Sequence, residues 1–368
     1  MNLQRIKLTV IKMPLKIPFS THLETVSERE SILVEATGKD GAQGYGEGVA
    51  FSSPWYTEET VKTSHHMLKD FLIPLLKRSP VHHPAEIEHL FHSIRRNQMA
   101  KAAIETALWD LDAKRRGVSL ARRLGSTAGR IPSGVVIGTP DINDAISQIE
   151  DYILKGFRRV KIKIFPDHDI EFVREVRRRF PTLDIMADAN SAYTLEDVDR
   201  LKALDEFGLM MIEQPLASDD IIDHAVLQRQ IATPVCLDES IVSYEDARKA
   251  IEIGSCKVIN IKIGRVGGLY TAVKIHDMCK EKGLPVWCGG MIEYGVSRAH
   301  NIALASLPGF TIPGDISGSD RYWEEDIVTP EIKVEDGFIE VPTKPGIGFQ
   351  LNLKRLKEVT VSEEVFDF

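Results

Sequence analysis

The chain has 368 residues, 43% of them hydrophobic and 27% charged, with 46 Lys and Arg against 54 Asp and Glu for a net charge of −8. At roughly 150 residues per domain this length allows about two domains or one large barrel with an appendage, and the composition excludes disordered, collagen-like and disulfide-scaffold chains. The acidic balance argues against a nucleic-acid partner, which favours a basic face; the arginine-rich stretch 174–179 has Glu175 and Val176 interleaved and reads as a solvated helix face. Cys236, Cys256, Cys279 and Cys288 form no Cys-x-x-Cys pair and are expected to be buried thiols. With no leader pattern and no apolar run near the ~18 residues that span a bilayer, a cytoplasmic chain without membrane contact is expected.

Residues 3–11 and 31–37 read as strands, with a turn at Gly38-Lys39-Asp40-Gly41. Apolar residues then recur at three and four positions over 57–76 and 84–116, as in Ile104, Leu108 and Leu111, which predicts two helices. Strands followed by helices describe an α+β module over 1–125. From about 126 short apolar runs alternate with amphipathic helices, at 134–138, 160–164, 184–188, 209–213, 234–238, 258–262, 285–289 and 309–313. Eight such runs, about 25 residues apart, have the spacing of a βα unit repeated around a barrel. An open doubly wound sheet would carry a glycine fingerprint after its first strand, and Gly138-Thr-Pro-Asp141 has none.

Two glycine clusters invite a phosphate reading. Gly44-Tyr-Gly46-Glu-Gly48 follows a hairpin and reads as a glycine-rich strand edge. Gly264-Arg-Val-Gly267-Gly268 stands between a strand and a helix, so a phosphate role stays open there. No Gly-Lys-Ser/Thr follows, which excludes a nucleotide P-loop. Residues 322–368 hold a strand-like stretch at 327–334 and a polar tail, expected to return to the first module.

Ionisable residues recur at five successive strand ends: Lys163, Asp188, Glu213, Asp238 and Lys262, separated by 25, 25, 25 and 24 positions. In a barrel the C-terminal strand ends face the active site. A buried charge without a partner costs several kcal/mol, so charges repeated in phase point to a site rather than to chance. Three carboxylates from neighbouring strands suit a hard divalent ion such as Mg²⁺, with Mn²⁺ or another divalent metal as alternatives, and the lack of His or Cys disfavours Zn²⁺. Lysines desolvated beside a divalent cation titrate low enough to act as bases near neutral pH. A metal with facing lysines suits proton abstraction next to a carboxylate, where the cation stabilises an enediolate. The second lysine then either returns a proton, giving epimerisation, or stabilises charge during β-elimination.

These residues resemble the enolase superfamily, in its muconate-lactonizing subgroup. Lys161-Ile-Lys163 is similar to the family's Lys-x-Lys motif, which implies Lys163 as base and Lys161 as its electrostatic support. Asp188-Ala-Asn190, Glu213-Gln-Pro215 and Asp238-Glu239-Ser240 resemble the three metal-ligand segments, led by the ligands Asp188, Glu213 and Asp238, and Lys262-Ile-Gly-Arg265 resembles the opposite-face lysine segment. The resemblance implies an α/β fold, a modified (β/α)7β TIM barrel over 126–321, with an α+β cap over 1–125 rejoined by 322–368, and it puts the last regular βα unit in question.

Residues 287–293 and 314–321 are similar to o-succinylbenzoate synthases, including those that also racemise N-succinylamino acids. This implies dehydration of 2-succinyl-6-hydroxy-2,4-cyclohexadiene-1-carboxylate in menaquinone biosynthesis, by a homo-oligomer acting on a small carboxylate. Dipeptide epimerases carry Asp-x-Asp where this chain has Asp315-Ile-Ser317, a departure from that reading; a non-catalytic binding protein would have no need to keep the five charges together. The resemblance further places Asn190 and Glu239 behind the ligands and Gly290, Met291 and Ile292 along the substrate's succinyl arm. Arg265 either tunes Lys262, meets an anion or is a surface residue at a helix start. Phe19 and Trp55, in the cap segments 18–22 and 51–55, either pack on the ligand or belong to the core. The cap histidines, His65, His66, His82, His83, His89 and His92, read as surface or core residues.

Overall fold

The computed structural model describes residues 1–21 and 23–368; His22, in the cap segment 18–22, lies outside them. The chain opens with three antiparallel strands, β1 (Leu3–Ser20), β2 (Thr25–Gly38) and β3 (Gln43–Gly48). Both long strands outrun the lengths expected from sequence. Met13 and Leu15 continue the buried face of β1 beyond Ile11, and Pro14 and Phe19 bound the place where the β1–β2 register shifts. Such an irregularity is where a strand accepts proline.

The two helices expected next are interrupted. The first is capped by Thr60, runs over Val61–Met67, passes through one wider turn at Leu68–Leu72 and ends with Ile73–Arg78. The second divides into Glu86–Leu90 and the long helix Gln98–Arg115, because Arg96 and Asn97 take positive φ and the buried Glu59 carboxylate accepts from Met99 N (2.9 Å) and Ala100 N (3.1 Å), starting a fresh helix there. Gln98–Arg115 is buried along most of its length, between the cap sheet and the barrel. Gly44 and Gly46 explain how it fits: a Cβ at either would stand 2.1 Å from Ala107 O or 2.2 Å from Ala103 O. The glycines of β3 therefore serve close packing of helix on sheet.

A short strand, β4 (Arg130–Pro132), precedes the barrel, whose seven parallel strands are β5 (Val135–Ile137), β6 (Arg159–Lys163), β7 (Asp184–Asp188), β8 (Ile212–Glu213), β9 (Val235–Leu237), β10 (Val258–Ile261) and β11 (Val286–Cys288), neighbours in that order. A helix follows each, from Ile142–Leu154 after β5 to Gly295–Ala305 after β11. The eighth run, 309–313, forms no regular strand. Phe310 makes a single bridge to Val286, Asp315 N donates to Cys288 O (3.0 Å) and Gly134 N donates to Gly314 O (2.8 Å), so an irregular segment closes the gap between β11 and β5. Pro313 has no N–H for a ladder, which accounts for the irregularity. The architecture is thus a modified α/β barrel with a separate antiparallel cap.

Beneath the strand ends Met186, Met211, Cys236, Val258 and Trp287 fill the barrel interior, and all four cysteines are free and buried. In the tail, β12 (Val328–Thr329) pairs with β14 (Gln350–Leu351), and β13 (Phe338–Glu340) with β4. The last strand, β15 (Thr360–Asp367), pairs antiparallel with β1 as the outer strand of the cap sheet. The arginine-rich helix Ile170–Arg179 buries Phe172, Val173 and Val176 and pairs Arg174 with Glu171 and Arg178 with Glu175, a solvated face. No helix among the described residues is long and apolar enough to cross a membrane.

Candidate active site

Side chains two apart on a strand share a face, so β6 presents Lys161 and Lys163 together. The parallel register sets Lys163 beside Asp188 and Asp188 beside Glu213. Asp188, Glu213 and Asp238 are 2%, 0% and 1% exposed, and the charges around them are tightly paired. Lys161 Nζ reaches Asp315 Oδ2 (2.6 Å), Glu213 Oε2 (3.0 Å) and Asp188 Oδ2 (3.1 Å). Lys163 Nζ donates to Asn190 Oδ1 (2.6 Å) and Asp188 Oδ2 (2.7 Å). Asn190 in turn donates to Glu239 Oε1 (3.1 Å).

Four strands further round, Lys262 Nζ donates to Tyr56 Oη (2.9 Å) and Asp238 Oδ2 (3.0 Å). In an eight-position barrel that separation sets Lys262 across the cavity from Lys163. Asn190, Ser191, Gln214 and Ile292, all just past strand ends, have positive φ. Such conformations are uncommon outside glycine and cluster where a site over-determines the backbone.

Burial pushes the Asp188 carboxyl up, but the ammoniums of Lys163 and Lys161 outweigh it and hold the group well below the ordinary carboxylate value. Asp315 is likewise held low, against burial, by Lys161 and Arg159. Glu239 is pushed up to about 7 by burial and by the charge of Asp188; Glu213 is raised for the same two reasons. Burial lowers Lys161 and Lys262, yet for Lys161 the carboxylates of Asp315, Glu213 and Asp188, and for Lys262 Tyr56, Glu239 and Glu213, leave both lysines above the ordinary value. The surrounding carboxylates favour the ammonium forms of these two lysines.

Among the described residues no three Asp, Glu, His or Cys side chains stand together as a ready metal cluster. Asp188 and Glu213 close on Lys161, while Asp238 turns to Lys262, Tyr56 and Arg265. The donor chemistry nevertheless fits a hard divalent cation: three buried carboxylates from successive strand ends, no His or Cys among them, and the neighbouring Glu239 Oε2 buried without a hydrogen-bond partner.

Phe19, Trp55, Gly290, Met291 and Ile292 line one cavity with Lys161, Lys163, Asp188, Asn190 and Lys262. Arg265 does not. It is 1% exposed, pairs with Asp238, and donates to Asn260 O (2.5 Å), Ile241 O (2.8 Å) and Tyr56 Oη (3.1 Å). Its fork of donors is committed to buried acceptors, and it is not a surface residue. The phosphate role left open for Gly264–Gly268 is also filled from within: the buried Glu105 carboxylate accepts from Leu269 N (2.8 Å) and Tyr270 N (2.9 Å), occupying the helix N-terminus an anion would need.

Sequence reasoning missed Tyr56, one residue past the segment it singled out, and Asn260, which donates to Glu213 Oε1 (2.8 Å). It noted Asp315 only as half of a departed motif. Both Asp315 oxygens are engaged, by Lys161 and by Arg159 Nη1 (2.7 Å), and Arg159 is itself fixed to Pro313 O. An Asp so committed has no lone charge to offer a substrate ammonium.

The chain matches the family model described as Mandelate racemase / muconate lactonizing enzyme, N-terminal domain, over residues 5–125, and that described as Enolase C-terminal domain-like over 144–355. It is 57% identical to an o-succinylbenzoate synthase of Geobacillus stearothermophilus, over 99% of this chain and 98% of that one. It is 42% identical to an N-succinylamino acid racemase of Thermus thermophilus, over 98% of each. A crystal structure of an enolase superfamily member from Listeria innocua superposes with a TM-score of 0.97 at 46% identity, covering 100% of this chain and 99% of that one. On this sequence, fold and strand-end geometry, the chain belongs to the enolase superfamily, within its mandelate racemase and muconate-lactonizing branch.

Proposed function

We propose that the protein is an enzyme that dehydrates 2-succinyl-6-hydroxy-2,4-cyclohexadiene-1-carboxylate to o-succinylbenzoate, a step of menaquinone biosynthesis. The observation that carries this is the pair of lysines, Lys163 and Lys262, lining one cavity from opposite sides with Asp188 and Asn190 between them. The proton next to a carboxylate is weakly acidic, and its removal demands a base on one face and positive charge to receive the electron pair. Lys163, as the free amine, takes the ring proton α to the carboxylate. The C–H electron pair passes into the carboxylate as an enediolate, and the Lys163 ammonium then gives its proton to the departing hydroxyl on the same face. The pair returns to the ring, water leaves and the ring becomes aromatic. Lys262 holds positive charge against the opposite face, and Lys161, bound to three carboxylates, keeps Asp188 and Glu213 in register.

A divalent cation, Mg²⁺ in this reading, would be held by Asp188, Glu213 and Asp238 and would supply charge stabilisation to the substrate carboxylate. Asn190 orients Lys163, and Phe19, Trp55 and the backbone at Gly290, Met291 and Ile292 receive the substrate's apolar and succinyl parts. The engaged state of Asp315 disfavours a cationic dipeptide. Four buried free thiols suit a reducing cytoplasm, and we assign the protein there as a homo-oligomer.

A second activity, racemisation of N-succinylamino acids, is favoured by the same pair of lysines, since one can remove and the other return a proton. The test is an assay of purified protein with Mg²⁺ on both substrates. Dehydration by the wild type supports the reading, and its absence overturns it. Deuterium entry from solvent into both enantiomers of an N-succinylamino acid marks the second activity.

A further inference from the structure

Among the described residues Lys262 is the one member of the lysine pair tied by a hydrogen bond to the cap, and the tie is directional. An ammonium has three N–H donors. One goes to Asp238 Oδ2 at 3.0 Å and one to Tyr56 Oη at 2.9 Å, which leaves the third for the cavity that Lys262 lines. Tyr56 lies 206 positions away in the chain, next to the aromatic segment 51–55 of the cap. Its hydroxyl is saturated: it donates to Asp238 Oδ2 (3.1 Å) and accepts from Lys262 and from Arg265 Nη1 (3.1 Å). Its ring is wedged by Trp55 and Phe51, with centroids 5.7 and 6.3 Å away, and the Lys262 ammonium lies 4.4 Å from the ring centroid.

We propose that Tyr56 is a positioning residue that aims Lys262 at the reacting carbon, so that the cap sets how well the protein performs two-base racemisation relative to one-base dehydration. The proposal rests on the functional reading above. Dehydration takes and returns its proton on the Lys163 face and asks of Lys262 only positive charge, an interaction that falls off slowly with distance. Racemisation asks more. The C–H bond breaks on one face as its proton passes to a lysine amine, the electron pair resides in the enediolate, and a new C–H bond forms on the other face with a proton from the second ammonium. That transfer is sensitive to distance and alignment. Removing the Tyr56 hydroxyl leaves the charge of Lys262 in place and removes one of the two hydrogen bonds that fix its direction.

The experiment compares wild type, Tyr56→Phe and Lys262→Ala, each as the full chain with Mg²⁺. It measures the dehydration rate and, in D₂O, α-proton exchange of each enantiomer of an N-succinylamino acid. The enantiomer whose exchange is lost in Lys262→Ala reports the Lys262 face; the other reports the Lys163 face and serves as a control for intact folding. In Tyr56→Phe, exchange at the Lys262 face is expected to fall about tenfold or more, a loss several-fold larger than that in Lys163-face exchange or in dehydration. Equal losses on both faces, no loss at the Lys262 face, or a wild type that dehydrates without exchanging through Lys262 overturns the role of Tyr56. A wild type that neither dehydrates nor exchanges overturns the functional reading instead.

Discussion

The two sides of the barrel mouth carry the same side chain, a lysine, in different settings. Lys163 is held by Asp188 and Asn190, both barrel residues one strand away, and its nearest described aromatic from the cap is the Phe19 ring at 5.9 Å. Lys262 is held by Asp238 and by a cap tyrosine, and the strands and helices on its side collect many of the polar ties from the cap. Gln98 donates to Val242 O (2.8 Å), Glu105 caps the helix Leu269–Glu281, Arg29 donates to Ile292 O (3.2 Å), and Glu47 accepts from Tyr294 N (2.9 Å) and Ser297 N (2.8 Å) at the start of Gly295–Ala305. Among the described residues, the hydrogen bonds that hold Lys163 thus come from the barrel, whereas those that hold Lys262 are completed by a second module. Two like residues in one site can therefore be tuned separately, because their supports belong to different parts of the fold.

Removing the cation should erase this difference, because all three of its proposed ligands lie between the two faces. A strong chelator is expected to lower dehydration and exchange on both faces by about 10⁴-fold, with recovery on adding Mg²⁺; activity that persists through chelation would contradict the ligand assignment. Lys163→Ala is expected to cost about 10³-fold in dehydration, and the same in racemisation, since both use the Lys163 face. Substantial dehydration in that variant would remove Lys163 as the base. Lys262→Ala sharpens the comparison: racemisation should fall about 10³-fold and dehydration only about tenfold, because the second needs charge and not proton transfer from that side. Equal losses in steady-state rates would mean that the two faces are not separable.

What the sequence revealed follows the same division. The five strand-end charges were legible because a barrel repeats its unit at a near-constant interval, and each of those residues stands at a strand end by local periodicity alone. Tyr56 was not legible, since its partners Asp238 and Lys262 lie 182 and 206 positions away and nothing in an aromatic pair, Trp55-Tyr56, says which ring points inward. Arg265 was visible as a charge after a strand but not as buried, because besides Asp238 its acceptors are backbone carbonyls and a cap hydroxyl that no spacing encodes. The eighth strand failed where Pro313 interrupts an otherwise apolar run, and the paired helices failed where Glu59 starts a new helix from 40 residues away. Glu47, a lone acid between glycines in a strand, was a signal left unread: a charge inside a buried strand needs a partner, and its partners are the amides of a barrel helix.

The smallest predicted effect concerns that junction. Burial pushes Glu47 and Glu105 up to about 7, although each accepts backbone N–H bonds that pull the other way. A carboxyl whose folded value lies above its unfolded value of 4.5 keeps its proton in the folded state over the interval where the unfolded chain has lost it. Its stabilising contribution is complete below about pH 4.5, declines as pH rises and is gone once pH has passed about 7. In Glu105→Gln the single amide oxygen can replace only one of the two carboxylate oxygens that accept from Leu269 N and Tyr270 N, which costs stability at every pH, and the proton linkage is absent. The difference in Tm between wild type and variant should therefore shift in favour of the variant by a few degrees between pH 5 and pH 8. Thermal melts across that range measure it, and a difference independent of pH would show that Glu105 is ionised in the folded protein throughout. Because Glu105 caps the helix that follows Lys262 and not one that follows Lys163, any loss of activity that accompanies the shift should appear first in exchange at the Lys262 face.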